Sequence, residues 1–141
     1  MSIRFFSDGV NFQLKDKRKT SQWLKWIAAE EGKEIGSLVY IFVSDEIILK
    51  INKTFLQHDY YTDIITFDDT TDNTISGEMY VSIDIIKSNS KDYHVEFRNE
   101  LLRVIVHGVL HLCGYNDKTE SEQQEMRDTE TRYLSWWKLA D

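Results

Sequence analysis

The stretch from about Val95 to Cys113 restricts the fold more than any other part of the chain. Phe97, Leu101, Leu102, Val104, Ile105, Val106, Val109, Leu110 and Leu112 make it apolar almost all round at helical spacing. As a helix it is therefore expected to be enclosed by the rest of the protein. Its last turns nevertheless carry two histidines, His107 and His111. Residues four apart share one face of an α-helix, about 6 Å apart along the axis, so both imidazoles can reach one ion. Gly114 then offers a residue that can take a left-handed backbone and end the helix, and the chain turns back to present Asp117.

His107, His111 and Asp117 thus have the metzincin-like spacing H-x3-H-x2-G-x2-ligand. Three protein ligands leave a coordination position open, whereas structural zinc sites are normally closed by four. An open position suits a hydrolase, because water bound there loses its proton near neutral pH. The alternative is a pair of structural imidazoles with ordinary hydrogen bonds; the apolar helix and the Gly–Asp turn that follows favour the metal. Cys113 lies two positions beyond His111, about 200° around the helix, so it reads as a small buried hydrophobe and not as a ligand. Gly108 stands where HExxH zinc proteases carry their catalytic Glu, so that turn of helix supplies no general base.

With 141 residues, 41% hydrophobic and 13% aromatic, the chain suits one compact domain over residues 1–141, undivided by a linker or a repeat. There is no long uncharged apolar run, and the opening MSIRFFSDGVNF has no apolar signal-peptide core, so a cytoplasmic protein with no membrane partner is expected. The single cysteine agrees with a reducing compartment. A formal net charge of −7 is not the footprint of a protein that grips nucleic acid unaided. Lys15, Lys17, Arg18 and Lys19 form a basic run, and Glu120, Glu122, Glu125, Asp128 and Glu130 an acidic one; each reads as solvated surface.

The remaining pattern predicts a scaffold. Ile3 to Phe6 reads as a strand, followed by a helix from about Ser21 as N-cap, with Trp23, Leu24, Ile27 and Ala28 on one face and Gly32 and Gly36 bracketing its exit. Leu38 to Val43 has the continuous apolar character of a central strand, ended by the cap-like Asp45. Ile47, Ile48, Ile51 and Phe55 mark a second helix. Asp63 to Phe67 and Glu78 to Ile83 read as strands joined by the polar DDTTDNTISG, with a short helix from Asp84. Thr119 and Glu122 are in capping-box register for a last helix whose apolar face includes Met126, Tyr133, Leu134 and Trp137. These elements predict an α+β fold: a four-stranded mixed sheet covering a buried, central metal-bearing helix, with flanking helices.

HGVLHLCGYND is similar to the HGxLHLxGYDH signature of the YbeY family of bacterial endoribonucleases and ribosomal RNA maturation factors. The likeness extends upstream through Glu100, Leu101, Arg103 and Val104 and downstream to Met126 and Glu130. INKTFLQHDYYTDIITFDD, from Ile51 to Asp69, resembles the family pattern LNxxYRxxDxPTDVLSFP, with Asn52, Asp59, Thr62, Asp63 and Phe67 matching, and GEMYVS from Gly77 resembles its GDIxIS strand. The resemblance implies a zinc-dependent enzyme, with one Zn2+ per chain, that cuts single-stranded RNA in maturing the 3′ end of 16S rRNA and in ribosome quality control. It thereby implies single-stranded rRNA and the ribosome or its small subunit as partners.

The chain departs from that pattern in three places. The family's third histidine is Asp117 here, preceded by Asn116 in place of Asp. Asp is a competent oxygen ligand, but its charge lowers the Lewis acidity of a zinc complex, and its hardness makes manganese or iron more plausible. Leu56 stands where the family has an arginine thought to serve RNA cleavage, so either Lys53, His58 or Arg103 supplies the positive charge or the protein cleaves RNA poorly. Tyr61 and Asp68 occupy proline positions, consistent with a chain that contains no proline.

The metal and its water are therefore the main catalytic agent expected. Asp63 is the one candidate catalytic side chain, against its alternative role as a strand-edge carboxylate. A non-catalytic ribosome-assembly protein with a structural metal, and a metalloprotease, remain as other readings.

Overall fold

The computed structural model describes residues 1–57 and 62–139. Strand β1 (Ser2–Asp8) leads through helix α1 (Lys17–Glu30) to β2 (Glu34–Val43), and helix α2 (Asp45–Leu56) precedes β3 (Ile64–Asp68) and β4 (Thr74–Ser82). Helices α3 (Ile83–Asp92), α4 (Phe97–Leu112) and α5 (Glu120–Leu139) complete the chain. The sheet order is β1-β2-β4-β3, parallel except for β3, which runs antiparallel on β4 at the edge. The fold is thus the α+β arrangement with a four-stranded mixed sheet that the sequence pattern predicts. Among the described residues no helix is long and apolar enough to cross a membrane.

Strand β2 is covered on both faces, which is why it is apolar without alternation. Leu38, Tyr40 and Phe42 point into the main core with α1 and α4, while Val43 joins Ile48 of α2 and Ile65 in a smaller core on the opposite face. Helix α4 lies against the sheet, with Leu101, Leu102, Val104, Ile105, Val106, Val109 and Leu110 buried. The Tyr40 hydroxyl donates to the Ile105 carbonyl at 2.7 Å, and Trp23 Nε1 donates to the Tyr133 carbonyl at 2.7 Å, tying α4 to the sheet and α5 to α1.

Several boundaries differ from expectation, each for a local reason. Helix α1 starts at Lys17, not near Ser21, after Asp16 in a left-handed conformation; Thr20 caps nothing but returns its hydroxyl to the Asp16 carbonyl at 2.9 Å. Its first turn is Lys17, Arg18, Lys19 and Thr20, polar residues that leave no apolar mark although Thr20 is buried. Gly36 lies within β2, not at a helix exit. The register of β2 on β4 shifts there, and the Ser76 hydroxyl accepts the Ser37 N–H at 3.0 Å in place of a ladder bond. Ser44 and Ser82, not Asp45 and Asp84, cap α2 and α3, accepting from Ile47 N–H and Ile85 N–H. Part of the polar segment before Gly77 is strand, because β4 begins at Thr74 beside the Thr71–Thr74 bridge.

Gly108 lets α4 approach the sheet. A Cβ at this position would lie 2.9 Å from Met79 Sδ and 3.0 Å from Ile64 Cδ1, so the ends of these side chains would have to shift to admit even a methyl group. A glutamate at this place in the helix would therefore have to displace both side chains, independently of any chemistry. We expect Gly108→Glu to destabilise the fold by at least about 3 kcal/mol through overpacking and a buried unpaired charge, measured by urea denaturation.

Candidate metal centre

The end of α4 builds the site. Gly114, at φ 105°, closes the helix: its N–H donates to the His111 carbonyl and the Tyr115 N–H to the Leu110 carbonyl, each at 3.0 Å, a Schellman turn. The turn sends the chain back past His111. Tyr115 is anchored through its hydroxyl to Glu31 at 3.0 Å, and the Asp117 carbonyl accepts Gln123 Nε2 at 3.1 Å. Thr119 and Glu122 form the expected reciprocal capping box, at 3.1 and 3.0 Å, which starts α5 at the next residues. Asp117 is thus held between two anchored helix ends.

His107 Nε2 and His111 Nε2 lie 3.0 Å apart, and Asp117 Oδ2 is 3.4 Å from the first and 3.3 Å from the second. The protonation of the rings follows from their other nitrogens. His111 Nδ1 faces the Tyr115 carbonyl at 3.0 Å, an acceptor only, so Nδ1 carries the proton. His107 Nδ1 faces Glu130 Oε2 at 2.6 Å and likewise donates. In the neutral rings both Nε2 atoms are then lone-pair acceptors, pointed at each other and at a carboxylate. Three acceptor atoms this close together are an arrangement that a bound cation or an added proton would stabilise. The donor set fits a metal cation: ligand bonds of about 2.0–2.1 Å at tetrahedral angles place donor atoms roughly 3.3 Å apart, close to the triangle observed. His107, His111 and Asp117 are also the group of potential ligands that the described residues bring together. Their side chains are 22%, 30% and 40% exposed, so the site is open to a substrate.

The surroundings explain the charge state. Burial pulls the His107 pKa down, but its hydrogen bond to Glu130 and the charges of Glu130, Asp63 and Asp117 outweigh this and hold it above the ordinary imidazole value. Burial pushes the Asp63 carboxyl up against the opposing pull of His107, and Glu100, buried in the first turn of α4, is raised by burial and by Asp63. Burial also pushes the Cys113 thiol up to about 12, and this half-buried side chain packs on the main core, in keeping with an inert hydrophobic role.

Two cavities meet at the triad. One of about 770 Å³ is lined by Asp63, Glu100, Arg103, His107 and Arg127, and another of about 450 Å³ by Leu56, Asp63, Thr66, His107 and His111; Asp117 borders both. Asp63 thus lines both cavities beside the triad without joining it. Leu56 ends α2 with its side chain exposed at the second cavity, and Lys53 is exposed on the same helix. Arg103 does not present a free charge: its Nη1 meets Glu130 Oε1 at 3.0 Å and its Nη2 donates to Thr131 Oγ1 at 3.1 Å. Arg127 is exposed and forms no ion pair with a carboxylate among the described residues. His58, Asp59 and Tyr61 lie outside the described residues. His94 sits in the exposed turn between α3 and α4, apart from the triad.

Glu130 corrects the reading of the acidic run as solvated surface, since it is 5% exposed. The signal was present: Met126, Glu130, Tyr133 and Trp137 form one helical stripe, and a carboxylate within an apolar stripe needs a partner.

The family model for "Endoribonuclease YbeY" matches residues 5–138. The chain is 44% identical to Endoribonuclease YbeY of Parabacteroides distasonis over 96% of its own length and 95% of the relative's. It is 44% identical to that of Bacteroides thetaiotaomicron over 96% and 98%, and 45% identical to that of Cytophaga hutchinsonii over 95% and 94%. The solution structure of TM1509 from Thermotoga maritima superposes with a TM-score of 0.69 at 28% identity, covering 96% of this chain and 89% of that one.

Two measurements check the centre. Purified protein should hold about one transition-metal ion per chain by elemental analysis, with His107→Ala losing most of it and Cys113→Ser none. In excess chelator, the raised His107 pKa means that the folded state binds a proton more tightly than the unfolded chain. The resulting stability is fully present below about pH 6.5 and is lost as pH rises through the folded pKa. The metal-free protein should therefore melt at lower temperature at pH 8 than at pH 6, and this fall should vanish in His107→Ala.

Proposed function

The chain belongs to the YbeY family, and from that premise we propose that residues 1–141 form a single metal-dependent hydrolase domain that cuts single-stranded RNA internally. The convergence of three acceptor atoms from His107, His111 and Asp117 carries this reading. Open cavities on both sides of them support a polymeric substrate, because a chain passing over the centre needs an entrance and an exit, whereas a small molecule needs one pocket.

His107, His111 and Asp117 hold the ion. Zinc suits the two imidazoles, and the Asp117 oxygen also admits manganese or iron. A bound divalent ion supplies Lewis acidity toward a phosphoryl oxygen and makes coordinated water acidic near neutral pH. Asp63, whose carboxyl is raised by burial, is placed to hold or pass on a proton where the two cavities meet. Arg127 at the rim of the larger cavity is the cation we assign to an RNA phosphate; Arg103 is engaged with Glu130, and Leu56 cannot bind phosphate. A protein of net charge −7 holds RNA weakly by itself. We therefore read its substrate as rRNA presented by the small ribosomal subunit in the cytoplasm, in maturation of the 16S rRNA 3′ end and in quality control. The lack of room at Gly108 disfavours a protease of the HExxH type. Leu56 and the acidic charge favour a second reading, a non-catalytic assembly factor with a structural metal.

Cleavage of an unstructured RNA by purified protein, with and without chelator and beside His111→Ala, separates the readings. We expect cuts that chelator and His111→Ala both abolish; a protein that holds its metal and leaves RNA intact fits the assembly factor. Asp117→His replaces a charged ligand by a neutral one and raises the positive charge at the centre by one unit. If deprotonation there limits cleavage, activity should set in at lower pH in this variant, while Asp117→Ala loses metal and activity together.

A further inference from the structure

The two histidines of the centre are not equivalent. His111 Nδ1 meets a neutral carbonyl, whereas His107 Nδ1 meets a carboxylate buried to 5% exposure, at 2.6 Å. That carboxylate is itself fixed. Arg103, one helical turn before His107 on α4, binds Glu130 Oε1 at 3.0 Å and reaches the neighbouring Thr131 hydroxyl at 3.1 Å and the Arg127 carbonyl at 3.4 Å. Each Glu130 oxygen thus has one partner, and both partners come from the same face of α4.

We propose that Glu130, clamped by Arg103, is a positioning residue for the centre, setting the tautomer, orientation and donor strength of His107. The inference rests on the reading of His107 as a metal ligand. A carboxylate on Nδ1 keeps the proton there, leaves the Nε2 lone pair for the ion and makes the ring a stronger donor than one bonded to a carbonyl. This matters more here than beside three neutral ligands. Asp117 already brings one negative charge to the centre, and an unbalanced second carboxylate would repel an approaching phosphate. The Arg103 charge cancels that of Glu130, so the pair strengthens His107 without adding net charge to the groove. Because Arg103 is used in this way, it is not the cation that replaces the family arginine at position 56. The chain Arg103–Glu130–His107 also crosses from α4 to α5 and back, so α5 contributes to the centre twice, through Glu130 and through the Gln123 bond to the Asp117 backbone.

The test is zinc affinity of the full chain, measured by competition with a chromophoric chelator for wild type, Glu130→Gln and Glu130→Ala. Unfolding of each protein is followed in excess chelator without metal. Gln has the same shape but only one acceptor oxygen, so it cannot serve both Arg103 and His107 Nδ1–H; Glu130→Gln should still fold, with its unfolding in chelator recording any loss of stability, yet bind zinc roughly 10–100-fold more weakly, and Glu130→Ala should bind more weakly again. A folded Glu130→Gln protein with wild-type zinc affinity overturns the proposal, because a merely structural Glu130 would give that result. His107→Ala is measured alongside, and wild-type affinity in that variant overturns the ligand assignment and the proposal together. RNA cleavage does not enter the readout, so a failure of the nuclease reading is distinguishable from a failure of this one.

Discussion

Two imidazole nitrogens and a carboxylate oxygen, brought within 3.0 to 3.4 Å of one another with the Nδ1 protons committed elsewhere, form an arrangement that a cation would stabilise. Much of the surrounding structure serves that convergence. The Schellman turn at Gly114 returns the chain toward His111, the Tyr115 carbonyl orients His111, and Glu130 orients His107. Without metal, His107 holds a proton more tightly than an ordinary imidazole despite its burial, because of its hydrogen bond to Glu130 and the charges of Glu130, Asp63 and Asp117. Proton and metal compete for the same lone pair.

A centre of this kind needs a rigid support, and burial of α4 supplies it. A helix apolar on nearly every side has no solvent-facing orientation to relax into, so its angular position is set by the sheet on one side and by α1 and α5 on the others. Gly108 permits the close approach to Met79 and Ile64, and the Tyr40 hydroxyl pins a mid-helix carbonyl. The histidines follow at the end where the helix emerges, and there the groove opens.

The departures from the family pattern share one electrostatic theme. By the family signature that the sequence resembles, Asp117 stands for a neutral histidine and so adds negative charge, and Leu56 stands for an arginine and so removes positive charge beside the same groove. Both changes would weaken the attraction of the groove for a phosphate. The Arg103–Glu130 pair is neutral overall and the Asp63 and Glu100 carboxyls are raised by burial. The Arg103–Glu130 pair therefore adds no net charge to the groove, and Arg127 remains as a solvent-facing cation on its rim.

What the sequence determined by itself was whatever depends on spacing along one chain segment. His107, His111, Gly114 and Asp117 stand within a single helix end and its turn, where backbone geometry alone brings their side chains together, and the capping box at Thr119 and Glu122 is equally local. The apolar run of β2 and the all-round apolar α4 likewise announced a covered sheet and a central helix, while the polar first turn of α1 and the opening residues of β2 and β4 left no periodic mark. Tertiary structure decided what depends on contacts between distant segments: that Glu130 turns inward onto a histidine 23 residues away, that Arg103 is consumed in holding it, that Asp63 lines both cavities, and that Gly108 is a packing requirement. A charged residue has the same letter whether it faces solvent or a buried partner, and only the packing of α5 against α4 distinguishes the two.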